Sequence, residues 1–228
     1  MITMLIQKLT GRSYKIRPSD IGYLLAKGGW PMARGMIWSA IRARRPNGLL
    51  LGPHVSFVMS NRLRAGRGVS IGGYSYVDCS AEDGVVLADR VTIRERAWIQ
   101  GRSGLNQPAE GLKVGIGTYI GPNAVLGIGG TIWIGAGVQI GAGFTVSAES
   151  HAADANGSYV SGHVSRQGVR VGDRCWIGNN VTVLDGVDIG EGCVIGAGSI
   201  VTRSVPPFSL AFGAPAKVHR TLPGLNND

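Results

Sequence analysis

The 228-residue sequence has no run of about 18 or more apolar residues, so no segment is long enough to cross a membrane as a helix. Cysteine is scarce. Cys79, Cys175 and Cys193 are an odd number without metal-ligand spacing, which argues against a disulfide framework and suits a reducing compartment. Only four histidines occur, His54, His151, His163 and His219, none at close spacing, so a zinc site of three converging imidazoles is not expected, nor any other metal. Residues 1–9 reach Lys8 early and lack a small-residue cleavage site, and the expected location is cytoplasmic. Acids are nearly missing from residues 1–47, where Asp20 stands alone against nine Lys or Arg. That segment carries +8 and leaves +1 for the other 181 residues. The basic character therefore belongs to an N-terminal segment and not to the main body.

Glycine is abundant. The 37 glycines far exceed the roughly 7% usual in proteins, yet they follow no Gly-X-Y period, which removes collagen and points to a turn-rich repeat. A six-residue period runs through Ile116, Pro122, Ile128, Ile134, Ile140 and Val146, and resumes at Val171, Ile177, Val183, Ile189, Ile195 and Val201. Eleven of these twelve slots are Ile or Val. The next position is glycine in eight hexads, read here as the residue that supplies unusual backbone angles at turns. The fifth position is apolar or small: Ile120, Leu126, Ile132, Val138, Phe144, Ser150, Cys175, Val181, Val187, Cys193, Ser199 and Val205. Strand alternation puts both positions on the inward side. Strands this short bury nothing alone, but three hexads per coil, stacked on the next coil, make a parallel β-helix. A β-sandwich does not repeat every six residues with fixed glycines. Leu51, Phe57, Leu63, Ile71, Val77, Leu87, Ile93 and Ile99 read as earlier coils whose register shifts twice.

Residues 1–47 place Ile21, Leu24 and Leu25, then Met32, Met36, Ile37, Trp38 and Ile41 at helical spacing, with Gly28, Gly29 and Pro31 between them. Two short helices are expected. Their basic residues fit either an anionic lipid surface or acidic acceptor, or a cap on the open end of the coil. The expected division is a helical segment over 1–47, coils over 48–206 and an extension over 207–228.

The register is lost between Val146 and Val171, and residues 149–168 read as an extruded polar loop, the place where function concentrates in a compact repeat. His151 at its root is the candidate general base, with Glu149 or Asp154 orienting the imidazole. Cys175 and Cys193 occupy inward slots, which disfavours a covalent acyl-cysteine route. Trp98, Trp133 and Trp176 point outward, toward a ligand in the case of Trp176 and toward subunit packing for the other two.

The block Ala148-Glu149-Ser150-His151, the segment from Val171 to Asn180, the run from Val194 to Pro207 and the motif Gly213-Ala214-Pro215-Ala216-Lys217-Val218 resemble the hexapeptide-repeat acetyltransferases, particularly the sugar O-acetyltransferases of bacterial surface polysaccharides. The resemblance covers residues 114–220. It implies left-handed coils, a homotrimer with sites between subunits, acetyl-CoA as donor, and a sugar or lipid-linked oligosaccharide as acceptor, with no nucleic-acid partner. It implies a base at His151 and a donor site drawn from Trp176, Gly178, Asn179, Gly196, Ala197 and Thr202, with Arg203, Lys217 and Arg220 on the phosphates. Transfer to the amine of a sugar nucleotide, or a purely structural solenoid, are the alternatives. Ser150 replaces an asparagine common in relatives, and the insert at 102–113 is a second departure.

Overall fold

In the computed structural model, residues 17–45, 47–104, 107–159 and 162–223 are described. Lys8, Arg12 and Lys15, three of the nine basic residues read from the sequence, lie outside them.

From Leu50 onward the chain winds through three parallel sheets in strict rotation. Leu50–Leu51, Ser56–Val58 and Leu63–Ala65 form the first coil, and each later strand adds to the face visited one turn earlier. The product is a left-handed parallel β-helix. Pairing is in register: Ile93, Ile120, Ile140, Ile177 and Ile195 stack on the first face, and Ile99, Leu126, Val146, Val183 and Val201 on the second. All ten are essentially inaccessible to solvent. Third-face strands such as Ile132–Ile134 bury both ends, so Leu112 and Val114 stack under Ile132 and Ile134.

That double inward placement corrects the hexad reading. The fifth position holds, with Ile120, Leu126, Ile132, Val138 and Phe144 all buried, but the first position fails at its start: the inward series runs through Val114, Ile120 and Leu126, and its phase slips by two residues before Ile134, Ile140 and Val146. Ile116 is 50% exposed and Pro122 only half-buried, because both sit in corners. Ser150 is exposed, since it lies in the extruded segment and not in a coil. The earlier coils need no such correction: Leu51, Leu63, Ile71, Val77, Leu87, Ile93 and Ile99 are all buried, and Phe57 packs against the same core.

Apart from Gly117, whose φ of 70° is of the expected kind, the repeated glycines act by a different route from the one their spacing suggests. Gly172 has no left-handed φ, but an added Cβ would lie 2.5 Å from the backbone N of Glu191 in the next coil. Close approach forces glycine there. The left-handed residue comes two positions later, at Arg174, and at Asn180 in the following corner.

The N-terminal segment is one continuous helical run. Pro18–Asp20 is a 3₁₀ turn, Ile21–Leu24 helix α1, Leu25–Gly29 a π turn, and Trp30–Ile41 helix α2. The expected break at Gly28-Gly29-Pro31 is absorbed by the π turn, in which the N–H of Trp30 donates to Leu25 O, leaving Pro31, which has no N–H, near the start of α2. Helix α2 lies against the first coil through Pro31, Gly35 and Ser39, and Trp38 packs on Phe57 with ring centroids 5.1 Å apart.

Much of the described basic charge serves the coil itself. Arg34 Nε donates to Leu51 O at 2.8 Å, Arg44 donates to Leu63 O and Ser60 O at 2.8 Å each, and Asn47 Nδ2 donates to Ala65 O and Gly66 O. These bonds satisfy carbonyls that an open coil edge would otherwise present to solvent. At the other end, Ser209–Gly213 joins the first face and Ala216–Thr221 folds back on it antiparallel.

Ile140→Ala, in the centre of its stack, should cost about 2–5 kcal/mol, whereas Ile116→Ala should stay within about 0.5 kcal/mol of the parent. Urea unfolding of both variants measures the difference. Equal losses would restore the unslipped register.

Candidate functional site

Two protrusions leave the coil at the same corner, between the second and third faces. The first is a hairpin pairing Arg102–Gly104 with Gln107–Pro108, and it follows the second-face strand Trp98–Gln100. The second, two turns later, is a ribbon pairing Ser150–His151 with Val164–Ser165, and it follows Thr145–Ser147. Residues 149–168 therefore have sheet structure at their root, where an extruded loop is expected.

Glu149 lies between an imidazole and a guanidinium at that root. Its Oε1 is 3.8 Å from His151 Nε2 and its Oε2 is 3.5 Å from Arg166 Nε. The Glu149 and Arg166 side chains are mostly buried and that of His151 is about half exposed, so the imidazole faces outward from a shielded carboxylate. Room for this carboxylate comes from Gly129 in the intervening coil, where an added Cβ would lie 2.5 Å from Glu149 Cβ and 2.7 Å from its Oε2. Arg166 Nη1 also donates to Pro108 O at 3.2 Å, which ties the ribbon to the hairpin. Arg166 and Gly129 were not legible as site residues, since 17 residues separate Arg166 from Glu149 and only the ribbon brings them together.

Asp154 has a different setting. Its Oδ1 accepts the backbone N–H groups of Asn156 and Ser158 at 2.8 and 2.9 Å, closing a turn within the ribbon. Of the two carboxylates, Glu149 is the one at ion-pairing distance from His151.

The residues expected to hold a donor are divided among several parts of the prism. Thr202 and Arg203 are exposed at the His151 corner, two coils further on. Trp176 is 63% exposed on the outer side of the first face, beside Gln139 and Val194. Gly178, Asn179, Gly196 and Ala197 lie at the corner between first and second faces, and three of them have duties within the coil. A Cβ on Gly178 would lie 2.5 Å from Ala197 N, one on Gly196 would meet Phe212, and Asn179 Oδ1 accepts the N–H of Ala142 at 2.9 Å. Lys217 and Arg220 are exposed on the last strand, three strand spacings or roughly 14 Å beyond Trp176. Within one chain these groups do not converge on His151.

The outer side of the third face carries a groove that begins at the ribbon's root. One cavity of about 330 Å³ is lined by Gln167, Gly168, Trp133 and Arg170, and a second of about 310 Å³ continues past Trp133, Arg170 and Asp188 to Glu191 and Pro207. The Arg170 guanidinium lies 4.2 Å above the Trp133 ring, with Asp188 3.9 Å from its Nε.

All three cysteines are buried: Cys193, whose thiol is lowered to about 7 by its hydrogen bond with Cys175, is closed off from solvent, while burial chiefly pushes the Cys79 thiol up to about 12 and the hydrogen bond with Cys193 together with burial raises that of Cys175. A thiol so raised stays protonated and is a poor nucleophile.

Comparison with known proteins places this edge in context. A family model described as bacterial transferase hexapeptide (six repeats) matches residues 168–203. A Staphylococcus aureus (strain COL) protein, whose acetyltransferase name is itself a provisional assignment, is 56% identical over 54 residues, covering 24% of this chain and 27% of that protein. The chain thus spans about a quarter of the length of that curated relative. Among solved structures, a maltose O-acetyltransferase from Clostridium difficile 630 is 31% identical over 49% of this chain and 59% of its own, with a TM-score of 0.46. The polySia-specific acetyltransferase NeuO is 22% identical over 76% of this chain and 86% of its own, with a TM-score of 0.50, and shares the fold. The chain therefore carries the hexapeptide repeat and resembles acetyltransferases built on it.

If thiol chemistry is absent from the site, a thiol reagent at pH 8 should label less than one cysteine per native chain and all three after unfolding. Rapid labelling of a native thiol would reopen a covalent route.

Proposed function

We propose that the protein is an acetyl-CoA-dependent O-acetyltransferase acting on a hydroxyl of a sugar in surface polysaccharide or exopolysaccharide biosynthesis. The observation that carries this reading is the Glu149–His151 pair at the root of a ribbon extruded from a hexapeptide coil. Glu149 faces Nε2, which favours the tautomer with its proton there and leaves Nδ1 to accept a proton. His151 then takes the acceptor hydroxyl proton as the oxygen attacks the thioester carbonyl, and returns it to the departing thiolate as the C–S bond breaks. Glu149 stabilises the transient imidazolium, and Arg166 keeps Glu149 in place. The 3.8 Å separation is longer than a hydrogen bond, as catalytic contacts without substrate often are.

The division of the expected donor residues supports a homotrimer in which His151 of one subunit meets the donor-binding surface of its neighbour. A surface for such packing exists on the second face, where Tyr76 stacks on Trp98 at 4.4 Å and Trp98, Val125 and Ile200 are exposed along one outward column. Arg203, Lys217 and Arg220 supply cations for the phosphates of the donor.

Thiol release from acetyl-CoA across a panel of sugars and lipid-linked oligosaccharides tests the reading, with amino sugars alongside to separate O- from N-transfer. His151→Ala should lower kcat by roughly 10²–10⁴. Glu149→Gln should lower kcat by at least about tenfold with little change in KM for the donor, and Asp154→Asn should change it by less than about threefold. Equal effects at Glu149 and Asp154 would remove the assigned pairing, and an unchanged His151→Ala would remove the base.

A further inference from the structure

Helix α2 is turned inside out relative to an ordinary surface helix. Its coil-facing side places the small residues Pro31, Gly35 and Ser39 beside Trp38, with an added Cβ on Gly35 colliding with Leu49 O. Its opposite side is apolar. Trp30, Ile37 and Ile41 are 65%, 61% and 76% exposed, with Met36 beside them. Positions 30, 33, 37, 40 and 41 share one helical stripe, and all five residues on it are apolar. The coil end is already closed by Leu49, Trp38 and the arginine donors, so this stripe contributes nothing to the core. Ile21 and Leu25, also about half exposed, extend apolar surface toward the N-terminus. An exposed apolar patch of this extent marks a docking surface.

Charge decides what docks there. The stripe belongs to a segment of +8, and exposed Arg17 and Arg45 flank the helical run, whereas Arg42 turns to the coil, donating to Ser60 Oγ at 3.0 Å and lying 4.6 Å over the Trp38 ring. Two copies of such a segment would bring like charges together, whereas an anionic surface with an apolar interior satisfies both features at once. We propose that the outward stripe of α2 is a membrane-interface helix, which inserts Trp30, Ile37 and Ile41 among the acyl chains of an anionic bilayer while the flanking arginines meet its headgroups. The proposal is independent of the acetyl-transfer reading. It sets the coil end, with its cap, against the lipid surface.

The test is co-sedimentation of the full chain with phosphatidylglycerol-containing vesicles and with phosphatidylcholine vesicles. Binding should require the anionic lipid and weaken as salt rises. Joint Trp30→Ser, Ile37→Ser and Ile41→Ser substitution should lower the partition coefficient at least about tenfold, while the melting curve stays unchanged. Should that variant fail to fold, brominated lipid provides the second measurement: it should quench the parent protein more than Trp30→Phe. Vesicle binding that survives the triple substitution, or equal quenching in both proteins, would overturn the proposal. A change in sedimenting mass with vesicle binding unaltered would overturn it in favour of an interface between copies.

Discussion

The constraint on which the rest depends is the close, in-register stacking of successive coils, about 4.8 Å apart. It lets each inward aliphatic side chain touch its equivalents above and below, as Ile140 does between Ile120 and Ile177. The same spacing leaves no room for a Cβ at the corner positions of Gly172 and Gly178. It also leaves corner N–H groups that side chains of the next coil must meet: Asp173 Oδ1 accepts from Ala136 N, and Asn179 Oδ1 from Ala142 N. Glycines and polar corner residues that look like ligand contacts are, first of all, terms of the packing.

A chain so constrained can vary only where it leaves the coil. Both protrusions leave at one corner, and the coil between them contributes Gly129 beneath Glu149. Arg166 spans the remaining gap, touching Glu149 on one side and the hairpin's Pro108 carbonyl on the other. A reactive group and a variable hairpin are thereby held on a rigid edge, which is how a repeat scaffold can change acceptor while keeping its chemistry.

What was legible in the sequence follows from what is periodic. Inward positions from Ile134 onward, and the earlier coils from Leu51 to Ile99, could be read because burial repeats with the coil. Ile116 misled because a two-residue slip on the third face leaves no local signal: both ends of Ile132–Ile134 are apolar whichever is counted. The hand of the coil is likewise invisible to periodicity, which is the same in either sense, and only the resemblance supplied it. The root of the ribbon was legible as a break in register. The choice of Glu149 beside His151 was not, because Asp154 has the same chemistry and lies nearly as close in sequence until the turn at Asn156 and Ser158 occupies it.

The N-terminal charge shows how composition divides between duties that only geometry separates. Arg34, Arg44 and Asn47 satisfy open carbonyls of the first coil, and Lys27 lies 3.6 Å from Glu95 on a later corner. A cap of this kind needs donors, and arginine reaches carbonyls while covering apolar surface with its stem. It does not need an apolar outer face. Had capping been the whole demand on this helix, polar residues at 30, 37 and 41 would have served the fold equally well, since none of them touches the core. The large apolar side chains there are therefore the part of the segment that the fold leaves unexplained, and the part on which a role outside the β-helix has to rest.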